Sequence, residues 1–168
     1  KVKVSVQPTI KDFMNKKKKL ITFMSRKHPF HSSLVINFLQ TYLPKDWKFK
    51  DLKNIDESEV YKFLCQSKIF LAFSNLEGLA LPPIEAALCG NFVIGYTGEG
   101  AKDYWRKPLF TEVFSGDLRN FVKETMKKVS KDDLNYKKHL KQYNWLKNEF
   151  SQKNEISHIK NFLRQIND

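Results

Sequence analysis

The chain has 168 residues, 41% of them hydrophobic, which is enough for one globular domain with a full core. No apolar run approaches the roughly 18 residues that a membrane span needs, and Lys1–Gln7 alternates Lys and Val without the apolar stretch of a signal peptide. The formal net charge of +12 brings nucleic acid and anionic membranes into consideration as partners.

That charge is unevenly spread. Residues 61–116 carry five basic and five acidic side chains, residues 1–60 carry 13 and 6, and residues 117–168 carry 12 and 7. A neutral middle between basic flanks argues against a specific nucleic-acid reader. The Lys16–Lys19 run reads as a solvated approach to a buried strand. Cys65 and Cys89 lie in apolar segments without a paired spacing, and read as reduced, buried thiols of a cytosolic protein.

In chain order, Lys19–Met24 is a short apolar run that predicts a buried strand. Leu34, Val35, Phe38, Leu39 and Tyr42 fall on one face of a helix over Ser33–Leu43, which Pro44 ends. Trp47–Leu52 is a weak strand. Ser58 is the expected cap of a helix striped by Val60, Phe63 and Leu64. Lys68–Ser74 is continuously apolar, as in a central strand buried on both faces. Pro82–Leu88 is a helix with proline in its first turn and Gly90 at its end, and Asn91–Tyr96 is another buried strand. Gly95–Gly100 reads as a glycine-rich loop. Helices then follow over Asp117–Lys128, Asp132–Phe150 and about 153–166. Alternating strands and helices followed by a helical tail predict an α/β fold: a Rossmann-like, doubly wound parallel sheet, with a core at about 18–130 and terminal helices at about 131–168.

Ligands of open parallel sheets bind at the carboxyl ends of the strands, so the loops there carry the chemistry. Ser25-Arg26-Lys27 offers two cations to a diphosphate or, equally, a solvated turn. Ser74–Glu85 joins the most apolar strand to a helix. Gly78 permits a tight path, amides at the helix start can face an anion, Glu85 stands in the expected first turn and Glu77 on the loop before it. His28 and His31 are spaced i, i+3 without the carboxylates or cysteines of a metal site, and no Ser-His-Asp or Cys-His motif is legible.

The segment Glu77–Tyr96, EGLALPPIEAALCGNFVIGY, resembles the donor-site motif of retaining GT-B glycosyltransferases, especially glycosyltransferase family 4. Glu77 and Glu85 match its two spaced carboxylates, and Ala86, Ala87, Cys89 and Gly90 match its small-residue helix and stop. The resemblance in element order covers about residues 18–130, the carboxyl-terminal half of such an enzyme.

It implies a hexosyltransferase-like glycosyltransferase acting in cell-surface polysaccharide or glycoconjugate synthesis. Glu85 would bind the donor ribose. Glu77 would contact the transferred sugar and is the candidate catalytic carboxylate. Gly78, Leu79, Ala80 and Leu81 would approach sugar and phosphate, and Arg26 with Lys27 would hold the diphosphate, Arg26 stabilising the leaving group. The family's Gly-Arg with a Lys about five positions on is here Ser25-Arg26 with an adjacent Lys27 and His31 near the Lys position. No nucleophile is assigned, and nothing is carried over to Glu99. The expected substrate is a nucleotide-diphosphate sugar, with no cofactor and no metal. The expected partners are that donor, a missing amino-terminal acceptor domain and an anionic membrane surface, without a specific nucleic acid, at a cytoplasmic site or the inner membrane face. The alternative is a non-catalytic Rossmann-like module that binds a nucleotide or polyanion.

Overall fold

The computed structural model describes residues 17–131 and 139–167. Lys1–Gln7, Lys16 and the opening residues of the helix expected over Asp132–Phe150 lie outside them.

Among the described residues, five parallel strands form one sheet in the order β2-β1-β3-β4-β5. They are β1 (Lys18–Phe23), β2 (Lys48–Asp51), β3 (Ser67–Glu77), β4 (Phe92–Glu99) and β5 (Phe110–Glu112). The helices are α1 (Pro29–Tyr42), α2 (Glu57–Gln66), α3 (Leu81–Leu88), α4 (Leu118–Ser130), α5 (Leu140–Glu149) and α6 (Gln152–Asn167). The fold is the predicted doubly wound α/β sheet with a helical tail. No helix among the described residues is long and apolar enough to cross a membrane.

Side-chain alternation along the strands builds a core on each face. Phe70, Ala72 and Val93 point to one side, where Leu64 of α2, Ile84 and Ala87 of α3 and Leu146 of α5 meet them. Ile21, Phe23, Ile69, Leu71, Phe73, Ile94 and Tyr96 point to the other, against Val35 and Leu39 of α1 and Phe121 and Val129 of α4. Phe73 stacks on Phe121 at 4.9 Å between ring centroids. Because α1 leaves β1 on one face and α3 leaves β3 on the other, the connections diverge between these adjacent strands. This divergence makes the carboxyl edge between β1 and β3 the switch point of the sheet, the place where open α/β sheets form a ligand crevice.

Several boundaries depart from expectation. The three-residue strand β5 was not legible, because Phe110–Glu112 is too short to show a period. Helix α1 starts at Pro29 rather than Ser33, since proline suits a first turn. Asp56, not Ser58, is the residue before α2, and no side chain caps that helix. Strand β3 runs on through Glu77 and β4 through Glu99, so Glu77 stands at a strand end and Gly95–Gly100 is largely strand. The reason is pairing: Ala72 to Ser74 register with Gly95 to Thr97, and after a bulge Glu77 registers with Glu99.

The lysine run before β1 is not uniformly solvated. Lys17 turns its amine into the amino-terminal edge of the sheet and donates to the carbonyls of Leu64 (3.1 Å), Ser67 (2.6 Å) and Cys89 (2.6 Å). It thereby ties the carboxyl ends of α2 and α3 to the approach to β1, where helix dipoles favour a cation. Beside it, buried Asn91 donates to Leu64 O and Ala86 O, both at 2.8 Å. Its Oδ1 accepts from Ser67 Oγ.

Candidate functional site

The turn after β1 and the end of β3, at the switch point of the sheet, carry several of the residues the sequence singles out. The chain leaves β1 through Met24 into a short 3-10 turn, Ser25–Lys27. Asp51, the last residue of β2, fixes that turn: its Oδ1 accepts from the backbone N–H of Ser25 and of Lys53, each at 3.1 Å. Sequence reasoning missed this positioning role, because an acidic residue ending a weak strand has no motif of its own. Arg26 is exposed on the turn and makes no ion pair among the described residues.

Lys27 reaches across from the turn after β1 to the end of β3. Its Nζ lies 2.7 Å from Glu77 Oε1, with the side chains 31% and 19% exposed. The expected diphosphate cation and the expected sugar-binding carboxylate are therefore neighbours. The bulge between Ser74 and Glu77 leaves Asn75 and Leu76 exposed while Glu77 turns partly inward.

The loop from Glu77 to Leu81 is held at both ends by the connection between β4 and β5. Gly100 N–H donates to Glu77 O at 3.1 Å, and the hydroxyl of buried Tyr104 donates to Ala80 O at 2.8 Å. Burial, with the Glu77 charge second, raises the Tyr104 pKa, so the phenol stays a donor. Tyr104 is a second positioning residue that the sequence did not reveal, since buried tyrosines are common in cores.

The glycines divide into two kinds. A Cβ on Gly95, Gly98 or Gly100 would collide with backbone of β3 or of the loop after it, at Ala72 O, Asn75 O and Gly78 O respectively. Those glycines let β4 and the residue after it lie close to β3 and its following loop, so the close neighbour of this glycine-rich segment is backbone. Gly78 differs: a Cβ there would meet nothing within 4 Å. Glu99, at φ 69°, turns outward to pair with Lys102 Nζ at 2.5 Å.

Two expectations for α3 change. The helix begins at Leu81, so Glu85 is its fifth residue and lies in the second turn, where the dipole acts more weakly. Pro82 and Pro83 occupy the second and third positions and carry no N–H, so the helix start offers fewer donors than a typical one. The amides available to a ligand are those of Gly78–Leu81 rather than a full helix terminus. Glu85 is exposed along its side chain, yet burial of its carboxyl, and secondly the Glu57 charge at the start of α2, raise its pKa. It makes no hydrogen bond or ion pair with Lys27 or Glu77.

His28 and His31 stack with ring centroids 3.8 Å apart, and both meet Tyr96 edge-on at 6.3 and 5.7 Å. They close the start of α1 over β4. Burial, with His28 second, lowers the His31 pKa. Among the described residues no group of three or more His, Cys, Asp or Glu is placed to hold a metal ion.

Comparison with protein-family models, with characterised proteins and with solved structures finds no match for this chain.

Proposed function

We propose that this chain is the donor-binding half of a retaining GT-B glycosyltransferase resembling family 4, which binds a nucleotide-diphosphate sugar in the crevice between β1 and β3. The observation that carries the reading is the Lys27–Glu77 pair. A cation after β1 and a carboxylate after β3 meet at the switch point of the sheet, eight residues before the second carboxylate of the motif. Open access at Gly78 supports the same placement.

In this reading the donor diphosphate displaces Glu77 from Lys27. The phosphate takes the Lys27 ammonium and the Arg26 guanidinium, and the freed Glu77 accepts hydrogen bonds from sugar hydroxyls. Amides of Gly78–Leu81 lie along the bound sugar and phosphate, and Glu85 accepts from the ribose. As the glycosidic bond to phosphate breaks, negative charge grows on the leaving diphosphate. Arg26 and Lys27 are the groups that stabilise it. Asp51 and Tyr104 act through the turn and loop they hold. The acceptor site belongs to a further amino-terminal domain. An apolar stripe on α6 that no described residue covers is in keeping with such a neighbour: Ile156, Ile159, Phe162, Leu163 and Ile166 are all exposed among the described residues.

Calorimetry with UDP-, GDP-, ADP- and dTDP-sugars tests the reading. Saturable binding of at least one, weakened at least tenfold by Arg26→Ala, is expected, since hydrogen bonds to charged groups contribute about 1.5–3 kcal/mol. Uniform absence of binding to a folded chain would refute it.

A further inference from the structure

Cys65 and Cys89 are far apart in sequence, yet the fold brings their sulfurs to 3.8 Å. Cys65 sits in the last turn of α2 and Cys89 closes α3. Neither is in a disulfide; Cys65 is half-buried and Cys89 buried. The pair lies at the amino-terminal edge of the sheet, with Lys17 holding the backbone of both helix ends. It is thus separated from the candidate donor site by the length of α3, about 12 Å at 1.5 Å per residue for its eight residues. We propose that these two cysteines form an oxidisable clasp, an intramolecular disulfide that joins the carboxyl ends of α2 and α3 when the protein meets a hydroperoxide.

The chemistry follows from the environment of each sulfur. Cys65 is the one reached from solvent, so it reacts first: its sulfur takes one oxygen from the hydroperoxide, giving a sulfenic acid and, from hydrogen peroxide, one water. The Cys89 sulfur then attacks the Cys65 sulfur, the S–O bond breaks, and the departing hydroxide leaves as water with the Cys89 proton. Two thiols lose two hydrogens and one peroxide is reduced to two waters. Cys89 is placed for the resolving role by its sulfur contact with Cys65. The hydrogen bond with Cys65, and then burial, keep its thiol protonated and spare it the first oxidation, and it gives up that proton as it attacks. A partner sulfur in contact captures the sulfenic acid before further oxidation. Closing the bond requires the sulfurs to approach from 3.8 Å to about 2.05 Å.

The cross-link encloses the segment from Cys65 to Cys89, which contains β3 and α3. It restricts the unfolded chain and stabilises the folded one, provided the native geometry accepts it. The proposal is independent of the glycosyltransferase reading, since it requires only the contact of the thiols.

The test is to treat the full chain with hydrogen peroxide, alkylate under denaturing conditions and map the peptides by mass. The expected product lacks two hydrogens, resists alkylation, links the Cys65 and Cys89 peptides, melts at a higher temperature than the reduced chain and reverts with dithiothreitol. Cys65→Ser and Cys89→Ser should each abolish the linked peptide, and the Cys89 variant should accumulate sulfenic or sulfinic acid at Cys65. Persistent sulfinic acid on Cys65 in the unaltered chain, a cross-link between two chains, or full alkylation of both thiols would overturn the proposal.

Discussion

Glu85, the proposed ribose ligand, is held in the fold at some cost to stability. Burial and Glu57 raise its pKa, so the folded chain holds this proton to a higher pH than the unfolded chain does. Its contribution to stability is therefore greatest at acid pH and declines as pH rises through the ordinary carboxylate value towards the folded one. Glu85→Gln removes that cost while exchanging the charged acceptor proposed for the ribose for a single, weaker amide oxygen. Thermal melts at pH 7 should show an equal or slightly higher midpoint, and calorimetry an affinity at least about tenfold weaker. A lower midpoint with unchanged affinity contradicts the assignment. Lys17 has the opposite sign. Burial lowers its pKa to about 7, whereas the unfolded side chain keeps its proton to about pH 10.4. The unfolded state therefore binds more protons between these values, and the contribution of Lys17 to stability increases with pH across that window. Denaturation at pH 7 and pH 9 should show the unaltered chain gaining on Lys17→Met as pH rises, by at most about 1.4 kcal/mol per pH unit. Glu77→Gln frees Lys27 from a partly exposed partner worth about 0–1 kcal/mol. Nucleoside diphosphate should then bind equally or up to about fivefold tighter, while sugar transfer by a protein holding both halves falls.

At the scale of elements, Gly78 within the Glu77–Leu81 loop and Gly100 packed against it separate folding from the proposed binding. Gly100→Ala drives a methyl group into Gly78 O and should lower the melting temperature markedly, because the end of β4 must move away from β3. Gly78→Ala meets no atom. It should leave the melting temperature nearly unchanged and weaken nucleotide-sugar binding by filling the approach; unaltered binding would remove Gly78 from the site. The glycine run shows what the sequence could and could not reveal. Gly95 to Gly100 announces close approach to something, but only the register of β4 on β3 shows that the neighbour is backbone. The long apolar strands and α3 were legible because continuous hydrophobicity and Pro-to-Gly punctuation are local signals. The Lys27–Glu77 pair, the Asp51 anchor and the Tyr104 contact were not, since each joins residues brought together only by strand order. The double proline of α3 was visible and misread: it marks the helix start and also removes donors there.

For the whole molecule, two surfaces remain to be accounted for by what the chain binds. The exposed apolar stripe of α6 predicts that the chain alone self-associates, measured by sedimentation, and that removing residues 152–168 reduces this without changing nucleotide affinity. A monomeric chain at high concentration would contradict a role for that stripe as a domain contact. The second surface is the switch point at the carboxyl edge of the sheet, where a turn, a strand end and a loop meet through Lys27 and Glu77. Its occupant is the central claim, and the most direct measurement is backbone NMR of the chain titrated with UDP, GDP, ADP and dTDP. Saturable shifts are expected with at least one of them, clustered at Arg26, Lys27, Gly78–Leu81 and the Glu85 turn, with the amino-terminal edge around Asn91 undisturbed. Shifts spread over the basic flanks and abolished by moderate salt, or no shifts with any nucleotide, would contradict the claim.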